Sequence, residues 1–293
     1  YEIYGPLVNG VTEVIFEGTP NTPHYGRHFE VIERYGVTNY YTAPTLIRSL
    51  MGAFPDGPEP GKYDFSTVRL LGSVGESINP QAWKWLRKHV GGGTASFIDT
   101  WWQSETGSTI CSPRPHDPAF APEGTFPEGT PHCTPLPGCA TREVPGVSVR
   151  VVDEHGDFVE PGKQGFIVVD KIGPSMARTV WGDPQRYLNS YWKHYGTRGW
   201  FLAGDGAKVD DEGNVYILGR IDDVINISGH RLSTIEIESA LVTHPAVVEA
   251  GVCPVEDELT GHQAVAYVTL TDEGRALTED ELKTALTEHV REH

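Results

Sequence analysis

The first 73 residues alternate between strand-like and helix-like patterns, and this alternation constrains the fold more than any other feature. Residues 14–17 predict a short strand, and residues 25–35 carry apolar side chains at helical spacing. Residues 37–41 are β-branched and aromatic, Pro44 begins a second helix, and residues 68–73 return to strand. This order predicts an α/β domain with helices on a largely parallel sheet.

Gly75, Glu76 and Ser77 follow directly on the third predicted strand. Ligands bind at the carboxyl ends of strands in open α/β sheets, and small residues let a flat ligand approach the backbone. A plain strand-to-helix turn explains the same sequence, with Asn79 as the helix cap and Pro80 as the first helical residue. The residues alone leave both interpretations open.

Residues 99–107 combine two adjacent tryptophans, several hydrogen-bonding side chains and two carboxylates. A buried carboxylate is costly unless it is paired, so the mixture is poor material for a core. It suits a pocket in which a few polar groups converge inside aromatic walls. We predict a binding site here, and an aromatic corner of the core is the alternative.

The charge balance excludes some partners. The 23 Lys and Arg against 40 Asp and Glu give a net charge of -17, which argues against nucleic-acid binding. No apolar run reaches membrane-spanning length, and the first residues lack the pattern of a signal peptide. The sequence therefore predicts a cytoplasmic protein with no membrane partner. The four cysteines fit neither a disulfide framework nor a standard zinc site.

The later part of the chain is richer in strands. Residues 147–153, 165–170, 200–204 and 214–218 have strand patterns. Residues 113–139 hold eight of the 22 prolines, which predicts a surface loop, with an interaction loop or active-site flap as alternatives.

A domain boundary is predicted near Asp222. Beyond it, residues 233–236 form a capping box before a helix, and residues 247–252 and 264–270 are strand-like. Residues 278–281 then cap a final amphipathic helix. This pattern predicts a small α+β domain.

The sequence Asp-Thr-Trp-Trp-Gln-Ser-Glu-Thr-Gly at residues 99–107 resembles the signature of acetyl-CoA synthetases, which belong to the adenylate-forming superfamily. Four more segments occur in the order of that family and near its spacing: residues 74–80, 201–206, 219–224 and 227–232. The resemblance extends over nearly the whole chain, except roughly residues 113–131.

The resemblance implies an adenylate-forming enzyme fold of α/β and α+β class. Residues 1–221 would be the later part of the large AMP-binding domain, α/β over about 1–112 and β-rich over about 140–221. Residues 222–293 would begin the small carboxyl-terminal α+β domain. The implied activity is that of an ATP-dependent acetate-CoA ligase acting through acetyl-adenylate, with acetate, ATP and CoA as substrates and Mg²⁺ as the metal.

The resemblance also assigns roles to matching residues. Glu105 would be the magnesium-associated catalytic acid and Arg220 a catalytic cation, while Val74 and Trp102 would line an acyl pocket sized for acetate. Asp222 would be the hinge of the small domain. The remaining assignments are nucleotide binding by Gly75, Glu76, Ser77, Asp99, Thr100, Trp101, Gln103, Ser104, Asp205 and Arg220, and CoA binding by Ser228, Gly229 and Arg231.

The sequence departs from the family at several points. Ser77 stands where proline is usual, and Ser104 replaces a threonine but keeps its hydroxyl. The family's phosphate loop would precede Tyr1 and its catalytic lysine would follow His293, so we expect a partial chain. The alternatives are a nucleotide- or CoA-binding module without catalysis, and a ligase for propionate or another short-chain acid.

Overall fold

A computed structural model describes residues 3–19, 21–113, 136–221, 224–227, 230–257 and 261–292. Most of the predicted proline-rich loop, at residues 114–135, lies outside the described residues. Two helices begin the chain, α1 (Tyr4–Val8) and α2 (Arg27–Tyr35). Helix α2 confirms the predicted helix over residues 25–35, and it ends at Gly36, whose φ of 57° is left-handed.

A three-stranded parallel sheet supports the amino-terminal part. Strands β1 (Asn39–Thr42), β2 (Leu70–Ser73) and β3 (Ser96–Asp99) lie side by side in that order. Helices α3 (Pro44–Ala53) and α4 (Pro80–His89) lie in the two connections between neighbouring strands. The parallel sheet with helical crossovers confirms the predicted α/β arrangement.

The sequence also predicted how α4 starts. The Asn79 side chain accepts a hydrogen bond from the Ala82 N–H at 2.7 Å, and Pro80 occupies the first helical turn. Apolar faces of the helices and strands meet in one core. Its fully buried members include Phe29, Ile47, Leu50, Leu71, Leu86 and Phe97.

The predicted strand at residues 14–17 is wrong. These residues form no strand, and Val14 and Ile15 are exposed. A β-branched run becomes a strand only where a neighbouring strand covers one face and pairs its backbone. The local composition did not reveal that such a partner is missing among the described residues.

A four-stranded sheet follows, and it confirms the strands predicted between residues 147 and 218. It consists of β4 (Ser148–Val152), β5 (Gln164–Lys171), β6 (Phe201–Val209) and β7 (Val215–Arg220), hydrogen-bonded in that order. Between β5 and β6 the chain forms a short helix α5 (Pro184–Tyr187), which continues as a π-helical turn over Leu188–Trp192.

The carboxyl-terminal part is α+β, as predicted. Its sheet has the order β10-β11-β8-β9. Its elements are β8 (Val224–Ile227), β9 (His230–Ser233), α6 (Thr234–Leu241), β10 (Val247–Asp257), β11 (Gly261–Leu270), α7 (Asp272–Arg275) and α8 (Glu279–Glu292).

The helix cap predicted at residues 278–281 is confirmed. At the start of α8, the Thr278 N–H donates to Glu281 at 3.0 Å, and the Glu281 N–H donates back to the Thr278 hydroxyl at 3.4 Å. The box predicted at Ser233 is wrong. The Ser233 hydroxyl instead donates to the Leu218 carbonyl at 2.6 Å, because a buried serine satisfies a nearby strand carbonyl.

The chain divides into two compact units. One contains Tyr1–Arg150, Val168–Leu202 and Gly213–Val215, and the other contains Val151–Ile167, Ala203–Glu212 and Tyr216–His293. The domain boundary at residues 221 and 222 stays a prediction. Within the described ranges, the helices are all too short or too polar to cross a membrane.

Candidate functional site

The carboxyl ends of β1, β2 and β3 meet at one edge of the parallel sheet. The register aligns Thr42 with Ser73 and Ser73 with Asp99, so the last residues of the three strands lie side by side. Residues 74–77 and 100–107 leave the sheet from this edge. Both segments that the sequence predicts to bind a ligand therefore begin where open parallel sheets bind ligands.

The turn after β2 leaves room beside its backbone. Gly75 has a φ of 98°, which favours glycine, and a Cβ at this position would meet nothing within 4 Å. Val74 before it is buried, and its N–H donates to the Thr42 carbonyl at 3.0 Å. Ser77 is half-buried. The backbone of the turn is thus hydrogen-bonded to strand β1 at Val74 and has open space beside it at Gly75.

The Glu76 carboxylate is bound to the start of helix α3. Its Oε1 accepts a hydrogen bond from the Thr45 N–H at 2.8 Å and another from the Thr45 hydroxyl. Arg48 Nη2 lies 3.2 Å and 3.3 Å from the two carboxylate oxygens. Because Ala43 provides no side-chain cap, Glu76 serves α3 as a cap from a distant segment. Direct nucleotide binding by Glu76 stays a prediction.

Asp99 is a buried carboxyl group at the end of β3, with 6% of its surface exposed. Burial raises the pKa of Asp99 to about 7, and a hydrogen bond from the Thr100 backbone partly opposes this effect. The Thr100 hydroxyl lies 2.5 Å from the Tyr41 hydroxyl and 3.2 Å from the Ser73 carbonyl oxygen. Because the pKa of Asp99 is about 7, its carboxyl group can either donate or accept a hydrogen bond near neutral pH.

The two tryptophans have different environments. Trp101 is buried, and its backbone N–H donates to the Cys111 carbonyl at 2.9 Å, while the Cys111 backbone N–H donates to the Trp101 carbonyl at 3.2 Å. Trp102 and Gln103 are half-buried. The Trp101 side chain thus belongs to the interior, as the aromatic-core alternative expected, while Trp102 is partly open to solvent. Nucleotide contact by Trp101 stays a prediction.

Glu105 is held at both its backbone and its side chain. The Ala177 N–H donates to the Glu105 carbonyl at 2.7 Å, and the Tyr191 hydroxyl donates to Glu105 Oε1. The residue is half-buried, whereas the neighbouring Ser104 is exposed. This arrangement gives the carboxylate a defined orientation while leaving it partly accessible.

The turn that carries Glu105 is fixed by its own hydrogen bonds. The Gln103 N–H donates to the buried Thr106 hydroxyl at 2.9 Å, and the Ser175 hydroxyl donates to the Thr106 carbonyl at 2.8 Å. Gly107 has a φ of 67°, and a Cβ there would lie 2.3 Å from the Ser175 carbonyl oxygen. Only glycine fits this close approach without a shift of the backbone.

Asp205 on β6 and Arg220 at the end of β7 form an ion pair. Arg220 Nη1 lies 3.6 Å from Asp205 Oδ1 and 3.3 Å from the Ala203 carbonyl oxygen. The Asp205 side chain is 9% exposed and that of Arg220 is 52% exposed. A Cβ at Gly204 would lie 3.1 Å from Arg220 Nη2, so the glycine makes room for the guanidinium. The pair offers an acceptor and a partly exposed fork of donors.

Several predicted site residues cannot be placed. Asp222, Ser228 and Gly229 lie outside the described residues. Arg231 falls on β9, but only its backbone position is described. The hinge and CoA-binding assignments therefore stay predictions.

The residues around Glu105 are chemically compatible with a magnesium site. Within the part of the chain that the structure describes, no group of three or more His, Cys, Asp or Glu residues could hold a metal ion. Mg²⁺ does not need such a cage, because it usually binds one or two carboxylates together with substrate phosphates. The half-buried Glu105 carboxylate beside the exposed Ser104 fits that pattern.

Three residues with contacts to the predicted site were missed in the sequence. Thr45 and Arg48 contact Glu76, and Tyr191 contacts Glu105. They lie 28 to 86 residues from the groups they bind. A local pattern gives no signal for such pairs, because the tertiary fold alone brings them together.

Comparison with known proteins places these features in a family. A model described as AMP-binding enzyme matches residues 1–181, and one described as AMP-binding enzyme C-terminal domain matches residues 236–293. The chain is 47% identical to an acetyl-coenzyme A synthetase of Mycolicibacterium smegmatis, covering 100% of this chain and 30% of that protein. It is 50% identical to one of Mycobacterium tuberculosis, covering 92% and 40% respectively.

A solved structure supports the fold. The chain resembles the crystal structure of an anthranilate CoA ligase in complex with anthranoyl-AMP, with a TM-score of 0.74 and 24% identity. The match covers 97% of this chain and 48% of that one. The chain spans about 30 to 40% of the length of these two curated relatives. On the family models and this adenylate-forming fold, the chain belongs to the AMP-binding enzyme family.

Proposed function

We propose that this chain is part of an AMP-forming acetate-CoA ligase, which makes acetyl-CoA from acetate, ATP and CoA. The observation that carries the proposal is the polar and aromatic segment from Asp99 to Glu105, which leaves the carboxyl edge of a parallel sheet. The 47% and 50% identity to proteins named acetyl-coenzyme A synthetase supports the choice of acetate. The proposal includes a cytoplasmic location.

The reaction has two steps in this proposal. An oxygen of acetate first attacks the α-phosphorus of ATP, and the bond from that phosphorus to pyrophosphate breaks. The CoA thiol then loses its proton and attacks the acyl carbon, and AMP leaves. Neither step needs a covalent bond to the protein, so its residues contribute mainly by positioning the reactants and stabilising charge.

The nucleotide-binding role rests on two kinds of group. The open backbone at Gly75 and the half-buried Ser77 suit the face and edge of an adenine ring. The buried Asp205 carboxylate suits two ribose hydroxyls, and Arg220 can donate to phosphate or ribose oxygens. Asp99, Thr100, Trp101, Gln103 and Ser104 complete the proposed set.

Glu105 is proposed to hold Mg²⁺ together with the phosphates of ATP. When bound, Mg²⁺ neutralises phosphate charge and orients the phosphate oxygens. The contribution of the chain is to hold the Glu105 carboxylate in place through the Tyr191 hydroxyl and the Ala177 N–H.

The acyl pocket is assigned to Val74 and Trp102. Val74 is buried at the end of β2 and Trp102 is half-buried after β3. A bulky indole at this position leaves room for acetate and excludes long acids. Ser228, Gly229 and Arg231 are proposed to bind CoA, and Asp222 is proposed as the hinge.

The test is acetate-dependent exchange of pyrophosphate into ATP, catalysed by the natural polypeptide that contains these residues. We expect exchange with acetate, and a loss of about 100-fold in Arg220→Ala because the developing phosphate charge loses a donor. Binding of ATP or CoA without any exchange would instead support a binding module without catalysis.

Substrate choice is tested with Trp102→Gly. This variant should gain exchange with acids several carbons longer and lose preference for acetate. Trp181→Gly is the matched control, because Trp181 is 99% exposed and should leave acid preference unchanged. An unchanged preference in Trp102→Gly would refute the pocket assignment. If the wild type prefers propionate, propionate and not acetate is the substrate.

A further inference from the structure

A tyrosine far along the chain contacts the proposed metal-binding acid. The Tyr191 hydroxyl donates to Glu105 Oε1 across a separation of 86 residues. We propose that Tyr191 is a positioning residue that orients the Glu105 carboxylate for Mg²⁺ and the phosphates of ATP. This inference rests on the proposed nucleotide-binding function and adds to it a residue outside the recognised sequence motifs.

The ring of Tyr191 is fixed by its neighbours. It stacks on Phe201, with 5.1 Å between ring centroids and 8° between ring planes, and Phe201 is fully buried. The centroid of the Tyr187 ring also lies 5.6 Å from that of Tyr191. A side chain in contact with two rings, one of them stacked and fully buried, has little rotamer freedom, so its hydroxyl points in a fixed direction.

The backbone around Tyr191 is specialised as well. Tyr191 lies in the π-helical turn Leu188–Trp192, which directly follows helix α5. Such turns are rare, and they occur frequently at functional sites because they change the direction in which a side chain points. The local geometry therefore gives a reason why this residue reaches the carboxylate.

The segment before α5 fixes the other side of Glu105. Ala177 binds the Glu105 carbonyl, and the Ser175 hydroxyl binds the carbonyl of Thr106. With its backbone held, the orientation of Glu105 depends on the torsions of its side chain. The hydrogen bond from Tyr191 restrains those torsions, because it ties one carboxylate oxygen to a rigid ring.

The chemistry of the donor suits this role. A phenol is a neutral donor, so it restrains the carboxylate without placing a positive charge beside it. A lysine or arginine would pair with the carboxylate and compete with Mg²⁺ for it. A tyrosine leaves the negative charge available to the metal.

Tyr191→Phe is the test variant, made in the natural polypeptide that contains these residues. It removes one hydroxyl and keeps the ring packing. The matched control is Tyr216→Phe, whose lost hydroxyl donates to the Asp210 carboxylate at 3.4 Å and not to the Glu105 carboxylate. Two measurements are made: the Mg²⁺ concentration for half-maximal ATP–pyrophosphate exchange, and the affinity for ATP with and without Mg²⁺ by calorimetry.

We expect Tyr191→Phe to raise the half-maximal Mg²⁺ concentration about tenfold, in line with loss of a hydrogen bond to a charged group. The Mg²⁺-dependent gain in ATP affinity should shrink by a similar factor, with the affinity in the absence of Mg²⁺ and the KM for acetate unchanged. Tyr216→Phe should keep the wild-type response to Mg²⁺.

Four outcomes decide between the possibilities. An unchanged Mg²⁺ response in Tyr191→Phe, or an equal change in Tyr216→Phe, would overturn the positioning role. A wild type without acetate-dependent exchange, but with Mg²⁺-dependent ATP binding that Tyr191→Phe weakens, would refute the acetate assignment and support this inference. A wild type whose ATP affinity does not respond to Mg²⁺ would overturn both.

Discussion

Replacing Asp99 by asparagine should make the stability of the chain less dependent on pH. Asp99 is 6% exposed, and its burial raises its pKa from an ordinary value of 3.8 to about 7. Asparagine has nearly the same shape but cannot ionise. The variant therefore removes the titration while largely keeping the packing at the end of β3.

The sign of the effect follows from proton binding. The folded chain holds the Asp99 proton more tightly than the unfolded chain, so this group destabilises the fold as the pH rises from 3.8 to about 7. Each pKa unit is worth about 1.4 kcal/mol, so the raised pKa of Asp99 corresponds to a loss of about 4 kcal/mol above pH 7. Below pH 3.8 the group contributes no penalty, since it is protonated in both states.

Urea unfolding at about pH 4 and about pH 8 measures the difference between wild type and variant. At the lower pH, the free energy of unfolding of Asp99→Asn should be close to that of wild type. At the higher pH it should exceed that of wild type by several kcal/mol, up to about 4. The control Asp211→Asn, at an exposed turn residue, should show no such change. A difference between Asp99→Asn and wild type that is the same at both pH values would refute the reasoning.

Three further substitutions test other contacts by urea unfolding. Glu76→Gln should lower the free energy of unfolding by about 1–2 kcal/mol, because the Thr45 N–H loses a charged acceptor; an unchanged value would contradict the capping role. Thr278→Ala should cost about 1 kcal/mol by breaking the capping box of α8. Gly107→Ala should lower the free energy of unfolding by about 1–3 kcal/mol, since its Cβ would collide with the Ser175 carbonyl. Wild-type stability in Thr278→Ala would refute the capping argument, and wild-type stability in Gly107→Ala would refute the steric one.

Much of the fold could be predicted because its signals are local. Helix α4 shows its capping asparagine, its first-turn proline and its apolar spacing within about ten residues, and the structure contains all three. The alternation of strands and helices likewise predicted the parallel sheet of β1 to β3. These features depend on near neighbours, which a sequence pattern contains in full.

The errors occurred where a distant partner decides the structure. Residues 14–17 have the composition of a strand but form no strand, and the Ser233 hydroxyl binds the Leu218 carbonyl instead of capping α6. In the candidate site, the sequence located Glu76 and Glu105 but not the side chains that hold them. Tertiary contacts override local preference in each case.

The two glutamates show what a sequence motif leaves undetermined. Their motifs specify which loops carry the carboxylates, but Arg48 and Tyr191, 28 and 86 residues away, contact those carboxylates. A carboxylate that binds a metal or a turn must be held in one orientation, and a small displacement of a reacting group can cost a large factor in rate. A chain with every motif intact but without these partners should therefore fold and still bind Mg²⁺ and nucleotide poorly.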